Sequence, residues 1–431
     1  MTSEGKCPPR VFSLEEINLK EVLTVLPLNR KVSLRLRSDK YKNAVDYLLE
    51  FEVSIWIAEE SKLIDKDKQI FGRVEVITVY FIKSQFPNLI HIGLGCSVDI
   101  KVFSDLIRGC THLNMLTLDD HSFKDEHLNA IVEFGKLTNI CLKRCKISER
   151  GLKTLITESS KLNALTLEQI DSIEGHCFHK LKHTFTALQV INCKRIDSKT
   201  WKAAVSGDTQ NIDILLVHNC FLNTSDFETI SKKMKKLTKL DLRFPLGTEK
   251  SLNFNIMSSF LGLKVLNISD DNKSPSFTAE HFSTIIRSCS QLNSIQLHFK
   301  QNADIKFKPD SFKNLSESCE KIAFLSFAGF GSIATQFKLC KQLQEFQFIN
   351  MSSSDETFKN IIHQTLSLRK VKFVNCKNIG ANTIGVICEI AEKTMTEWVY
   401  LRSLSSGIDK KFTNGFFKKR KLPKNLIIVY E

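Results

Sequence analysis

Residues 113–142 read LNMLTLDDHSFKDEHLNAIVEFGKLTNICL. Leu113, Leu116 and Leu118 open the stretch, and Leu137, Ile140 and Leu142 repeat the same apolar-x-x-apolar-x-apolar pattern 24 residues later. The last two positions of each set lie two residues apart, so on an extended chain their side chains point to one face of a short strand. Between the sets, Leu128 and Ile131 have the three-residue spacing of one helix face. One copy is therefore strand, loop, helix and return.

The pattern spreads in both directions from this stretch. It stands before it at Leu89-Ile92-Leu94. After it come Leu162-Leu165-Leu167, Phe185-Leu188-Val190, Ile212-Leu215-Val217, Leu237-Leu240-Leu242 and Leu263-Leu266-Ile268. Leu292-Ile295-Leu297, Ile322-Leu325-Phe327, Leu343-Phe346-Phe348 and Leu368-Val371-Phe373 complete twelve copies, at intervals of 21 to 30 residues. Helical pairs follow the strands at Leu152 with Leu155, Phe227 with Ile230, Phe282 with Ile285, Phe312 with Leu315 and Phe358 with Ile361. Ser148, Thr278, Pro309 and Ser354 stand where such helices begin, as N-cap or first-turn residues do. One unit cannot bury its apolar face alone, and stacking buries it. The spacing thus predicts an α/β solenoid over residues 86–400, a horseshoe with a parallel sheet on its concave side and helices outside.

The 13 cysteines follow the same frame. Cys110, Cys289, Cys319 and Cys340 each precede the first apolar position by three residues, and Cys145, Cys193, Cys220 and Cys376 each follow it by eight. A small, weakly polar side chain suits a tight buried bend. The C-x-x-L-x-x-L-x-L-x-x-C frame, with a Ser-, Thr- or Asp-started helix behind it, resembles the cysteine-containing subclass of leucine-rich repeats. His121, Asp271 and Met351 stand in the second cysteine slot of other copies. Proteins of that subclass very often carry an F-box in front of the repeats.

Residues 12–49, FSLEEINLKEVLTVLPLNRKVSLRLRSDKYKNAVDYLL, resemble such a box. The matching parts are the apolar run Ile17, Leu19, Val22, Leu23 and Leu26, the Leu26-Pro27-Leu28 turn, Val32-Ser33-Leu34-Arg35-Leu36, and Ser38 to Tyr41. The resemblance implies a short helical bundle, residues 1–50, that docks on the Skp-type adaptor of a cullin–RING ubiquitin ligase. Its contacts would be Ile17, Leu19, Val22, Leu23, Leu26, Pro27, Leu34 and Leu36. Ser13-Leu14-Glu15-Glu16 stands where the family opens on Leu-Pro, and Tyr41 where it often has tryptophan. The alternative reading of this segment is a helical cap on the first repeat's apolar face. Residues 51–85 connect it to the repeats. Within them Val53 to Ile57 alternates like a strand, Glu59 to Lys68 reads as a solvated loop, and residues 71–86 suit a helix. Residues 401–431 read as a C-terminal cap with a basic run, Lys418 to Lys424, ahead of a strand at Leu426 to Val429.

The net charge of +14 attracts nucleic acid, anionic membranes and acidic proteins alike. A nucleic-acid partner is not expected, since no basic stripe with interleaved aromatics stands out. MTSEGKCPPR at the start lacks an apolar h-region, and no run approaches about eighteen apolar residues, so neither a secretory signal nor a membrane span is expected. These features point to an intracellular protein, cytoplasmic or nuclear, with reduced thiols. The basic run 418–424 has the form of a nuclear-import signal.

Motifs of bond chemistry are missing. There is no phosphate-cradling Gly-x-x-x-x-Gly-Lys, no His-Glu-x-x-His and no Cys-x-x-Cys. On a helix His176, His179 and His183 would share a face and could meet a metal, or be ordinary helix histidines. Cys141 on a strand beside Lys143 is the nearest approach to an activated thiol. The expectation is a non-catalytic protein without cofactor or metal. Its working surface would be the outward strand positions, among them Lys143, Glu168, Gln189, His218, Lys239, Asp241, Arg243, Asn267, Gln296 and His298. Early copies add Met115, Thr117, Asp119 and Asn139, and late ones Glu345, Gln347, Lys370 and Lys372. A mixed polar and apolar surface suits a protein partner. With the box, it implies substrate recognition in an SCF-type ligase; without it, a protein-interaction scaffold.

Overall fold

The computed structural model describes Val45, Leu48 and residues 54–58, 69–71, 76–244, 253–271, 277–300, 321–329, 342–365, 367–393, 399–404, 410–418, 421 and 423–430. The chain forms two compact units, Met1–Ile173 and Glu174–Glu431.

In the first unit the described elements are β1 (Ser54–Ala58), β2 (Gln69–Phe71), α1 (Val76–Gln85), β3 (His91–Gly95), α2 (Ile100–Gly109), β4 (Met115–Asp119), α3 (Asp125–Phe134), β5 (Asn139–Lys143), α4 (Glu149–Glu158) and β6 (Ala164–Glu168). The strands are parallel in the order β2-β1-β3-β4-β5-β6. The strand expected around Val53 to Ile57 is β1, in register with β3 from Ser54 opposite His91 to Ala58 opposite Gly95. Of the helix expected over residues 71–86, α1 covers Val76–Gln85, while Phe71 belongs to the strand β2. The short β2, which the charged flank hides in the sequence, pairs with the other edge of β1.

The second unit begins with a 3₁₀ turn, His176–Lys180, then β7 (Ala187–Ile191), α5 (Ser198–Ser206), β8 (Ile214–His218), α6 (Thr224–Lys233) and β9 (Lys239–Phe244). A second 3₁₀ turn, Phe254–Ser259, leads to β10 (Val265–Asp270), α7 (Ala279–Ser288), β11 (Ser294–Phe299), β12 (Phe324–Ala328) and β13 (Glu345–Ile349). Then come α8 (Asp355–His363), β14 (Lys370–Val374), α9 (Ala381–Lys393), β15 (Val399–Leu404), α10 (Lys410–Phe417) and β16 (Leu426–Tyr430). Strands β7 to β16 are parallel and neighbour one another in chain order. The segment expected as a cap thus supplies two further strands, β15 in register with β14 and β16 with β15.

Every expected frame position is where the periodicity puts it. All three apolar positions in all twelve copies are at most 3% exposed. The described helical partners, such as Leu152, Leu155, Phe227, Ile230, Phe358 and Ile361, are fully buried. Burying one such side chain contributes about 1.5–3 kcal/mol, so the stacked rows supply the main driving force. Among the described residues ten of the twelve copies enter their strands through the same fork: the amides of Thr138 and Asn139 both donate to Asn114 O, and those of Asn163 and Ala164 both donate to Thr138 O. Ser148, Thr278 and Ser354 cap their helices, each hydroxyl accepting from a backbone amide three residues on. Pro309 and the Phe312–Leu315 pair lie outside the described residues.

The cysteine slots are structural. Cys110 and Cys289 close α2 and α7 as C-cap residues, and their carbonyls accept from Leu113 N and Leu292 N. Cys145, Cys220 and Cys376 are buried behind their strands, each thiol donating to the preceding repeat at Leu118 O, Val190 O and Phe348 O. Cys319 and Cys340 lie outside the described residues.

The residue just ahead of that second slot adopts a left-handed backbone in copy after copy: Arg144, Gln169, Asn192, Asn219, Asn350 and Asn375 have φ between 52° and 55°. Asparagine tolerates that conformation better than most side chains. The turn aims the amide at the next repeat, as in Asn192 N to His218 O and Asn350 N to Val374 O. Gly329 fills the same slot at φ 80°, where a Cβ would collide with Phe299 O.

Candidate functional site

Along most strands the frame residues are buried and the residues between them lie half-exposed, with β3, β4 and β12 buried nearly throughout, so each unit presents one sheet face opposite its core. The outward positions read from the sequence are on it. On the first unit Lys143 of β5 stands opposite Glu168 of β6, and their ion pair is 2.8 Å long. Burial pushes the Lys143 ammonium down, but the hydrogen bond to Glu168 and the nearby negative groups outweigh it and hold it above the ordinary lysine value. Arg144 contacts Asp119 at 2.7 Å. Thr117 and Asp119, expected at outward positions, are buried there rather than solvated, because Arg144 and His91 lie across them. His91 bridges Ser54 Oγ and Thr117 Oγ1 at 2.8 and 3.0 Å. Its ring meets Trp56 edge-on, 5.7 Å between centroids. Trp56 lies over Gly93, whose position has no room for a Cβ beside the indole. Met115, 39% exposed, stands on the next strand, so this face is apolar beside its paired charges.

On the second unit His218 Nε2 is 2.6 Å from Asp241 Oδ1, and the Asn267 amide donates to Asp241 Oδ2 at 2.8 Å. Burial pushes the Asp241 carboxyl up, but these bonds from His218 and Asn267 prevail and hold it below the usual aspartate value. His298 meets Ser326 Oγ at 2.8 Å; burial, and then Arg243, lower its pKa. Glu345 takes Lys370 at 3.0 Å and the Gln347 amide at 2.6 Å. Lys239, Arg243 and Lys372 share the face and make no ion pair among the described residues. Gln189 and Gln296 lie half-exposed on it.

The chemical candidates fare differently. The segment at His176 is a five-residue 3₁₀ turn that ends at Lys180, so His183 does not share a helix face with His176 and His179. Gly175 enters the turn with a left-handed backbone, and the turn buries Cys177 and Phe178. His176 contacts Glu174, while His183 lies near Asp208. Among the described residues no group of three or more metal-binding side chains converges. Cys141 does lie on the outward face of β5 beside Lys143. Burial pushes its thiol up to about 11, with Lys143 opposing only in part, so near neutrality it is a thiol and not a nucleophilic thiolate. The first unit also holds a cleft of about 590 Å³ beside the loops after β4 and β5, with Lys124, Arg144, Lys146 and Asp171 at its walls. Asp125 there is committed to Ser148, whose amide and hydroxyl it binds.

The eight adaptor positions, Ile17 to Leu36, lie outside the described residues, as do Glu59 to Lys68 and much of the run 418–424. The αL asparagines were missed from sequence, although Asn192, Asn219, Asn350 and Asn375 recur at one repeat position and so carry a readable signal. Strand alternation over residues 53–57 does not reveal the role of Trp56, which depends on Gly93, 37 residues away.

Residues 88–241 match the family model described as "FBD-associated F-box protein At5g56370, LRR repeats". A leucine-rich-repeat protein of Leptospira interrogans has a similar solved structure, at 15% identity over 82% of this chain and 98% of that one, with a TM-score of 0.42. No curated protein matches the chain. Over the matched residues the repeats are therefore similar to those of that F-box-associated family. No helix among the described residues is long and apolar enough to cross a membrane.

Proposed function

We propose that this leucine-rich-repeat chain is the substrate-recognition subunit of an SCF-type cullin–RING ubiquitin ligase. The open sheet face holds a target protein, and Ile17, Leu19, Val22, Leu23, Leu26, Pro27, Leu34 and Leu36 dock the Skp-type adaptor. The chain does no bond chemistry; it contributes proximity, holding the target where its lysines meet a ligase-bound conjugating enzyme. Its place of action is the cytoplasm, the nucleus or both.

The observation that carries this reading is the match of residues 88–241 to repeats found in F-box proteins, in a chain whose residues 12–49 have the pattern of that box. The outward residues support it in kind: fixed polar groups and ion pairs around a few exposed apolar side chains suit a protein interface. A second reading is a protein-interaction scaffold with no ligase role. The Ser13-Leu14-Glu15-Glu16 opening and Tyr41, both departures from the box pattern, favour it.

Purification of the tagged full chain from cells separates the two. The ligase reading expects the Skp-type adaptor and a cullin to co-purify. It also expects both to be lost on Leu26→Asp with Leu34→Asp while circular dichroism of the repeats is unchanged. Absence of both from the unmutated chain rules out the ligase reading and leaves the scaffold.

A further inference from the structure

We infer that the open face of the second unit, from β9 to β14, binds an extended acidic segment of the partner protein. This rests on the reading that the open face binds a protein, and adds the chemistry of what it binds.

Three observations carry it. The first is an imbalance of charge. Two carboxylates of this face are already occupied, Asp241 by His218 and Asn267, Glu345 by Lys370 and Gln347, and a third, Asp271, stands at its edge within electrostatic reach of His298. Lys239, Arg243 and Lys372 have no acidic side chain within ion-pair distance among the described residues, although Lys239 lies close enough to Asp241 to help hold its carboxyl ionised, so cations without a direct ion-pair partner among those residues stand at both ends of the face. On the first unit, by contrast, Lys143 and Arg144 are each matched by Glu168 and Asp119.

The second is the set of amides between those cations. Asn267, Gln296 and Gln347 occupy the same register on β10, β11 and β13, with Ser326 on β12 between them. The Asn267 and Gln347 amides already donate to Asp241 and Glu345, so it is the half-exposed Gln296 carboxamide that offers both a donor and an acceptor, the pair that an unpaired peptide backbone requires. Gln296 makes no side-chain hydrogen bond among the described residues.

The third is the span. From β9 to β14 there are five strand spacings of about 4.8 Å, roughly 24 Å in all, which an extended peptide covers in about seven residues. An acidic peptide can place its carboxylates at Arg243 and Lys372 and leave uncharged residues over Asp241 and Glu345. A nucleic acid, with a phosphate at every step, would meet both fixed carboxylates. The central row, Asp241 through Gln296 to Lys372, carries no aromatic ring, and Phe324 and His298 stand apart in the rows on either side of it, not as a run on which successive bases could stack.

The test uses the purified full chain and three fluorescein-labelled probes: a decapeptide of alternating Glu and Ser, one of alternating Lys and Ser, and a ten-nucleotide oligothymidylate. Fluorescence anisotropy should show binding of the acidic peptide that weakens as salt rises. Arg243→Glu with Lys372→Glu should weaken it by roughly tenfold or more. The control pair Lys232→Glu with Lys233→Glu, at the exposed end of α6, makes the same charge change away from the face and should leave binding unchanged. Circular dichroism verifies that both variants fold. Failure of the acidic peptide to bind, equal loss in the two variants, or tighter binding of the oligothymidylate would overturn the proposal. A partner cross-linked to the face yet indifferent to the Arg243 and Lys372 reversals would also overturn the acidic chemistry, leaving the face as a protein-binding surface.

Discussion

On the first unit the open face carries Trp56 over Gly93, Met115 exposed beside it, and cations matched to carboxylates at Lys143–Glu168 and Arg144–Asp119. On the second unit the same backbone register carries His218, Asp241 and Asn267 as one network, a row of amides, and cations at Lys239, Arg243 and Lys372 that make no ion pair among the described residues. The cores differ too. Strands of the first unit bury leucine and isoleucine in the frame, whereas late strands of the second bury phenylalanine: Phe348 stacks on Phe346 and Phe373 with centroids 4.2 and 5.3 Å apart. A repeat backbone thus fixes where side chains point and leaves their chemistry free to vary from strand to strand, as a recognition surface requires.

The largest effects probe the cores. Phe348→Ala removes a ring that touches Phe346, Phe358 and Phe373, and should cost about 3–5 kcal/mol in urea unfolding. Leu118→Phe tests the opposite case, forcing a ring into a leucine-sized space, and should cost about 1–3 kcal/mol. If Leu118→Phe is neutral, the two cores are not packed differently and that half of the comparison fails.

Next come the polar networks. Asp241→Ala leaves His218 and Asn267 without their acceptor on a mostly buried site, and should cost about 1–3 kcal/mol in the same assay. Asp119→Ala should cost less, since Arg144 is 39% exposed in its side chain and can turn to water. Equal losses would mean that the first unit's pair is as enclosed as the second's network.

Acid should act through the second unit. Asp241 and Asp355 both have depressed carboxyl pKa values there. For Asp355, burial raises the value, but the Thr383 hydroxyl and the amides of Gly380, Thr383 and Asn382, at the start of α9, overcome it. A depressed folded value contributes stability that is fully present above the unfolded value of about 3.9 and is lost as pH falls through the lower folded value. Amide exchange should therefore show β9 and the α8–α9 pair losing protection as pH is taken from about 4 downward. Asp241→Asn and Asp355→Asn should each flatten the local slope. A slope unchanged by both variants would contradict the assignment. The smallest effect is at the rim: Lys370→Ala should cost below about 1 kcal/mol, its pair with Glu345 being partly exposed.

The repeat frame was legible because its signal is redundant: twelve copies of one spacing identify strand, inward row and outward row, and eight cysteines mark two bends within it. The outward list followed directly, since strand parity needs no tertiary knowledge. What escaped depended on contacts between repeats. Thr117 and Asp119 are buried by His91 and Arg144, which come from neighbouring copies. The break in helical form at His176–Lys180 has no periodic signal, only Gly175 to announce it. The short β2 has three residues, too few to alternate visibly. The αL asparagines were readable as a recurrent residue type at a fixed slot, and their physical meaning appears once their amides are seen to reach the next repeat.

The claim that the open face binds a protein is most directly tested by placing a photo-cross-linking side chain at Gln296, on that face, and in a second variant at Lys232, on the outer end of α6. Irradiation in cells should give discrete cross-linked protein adducts from the Gln296 position and none of the same size from Lys232. Identical adducts from both positions, or none from Gln296, would contradict it.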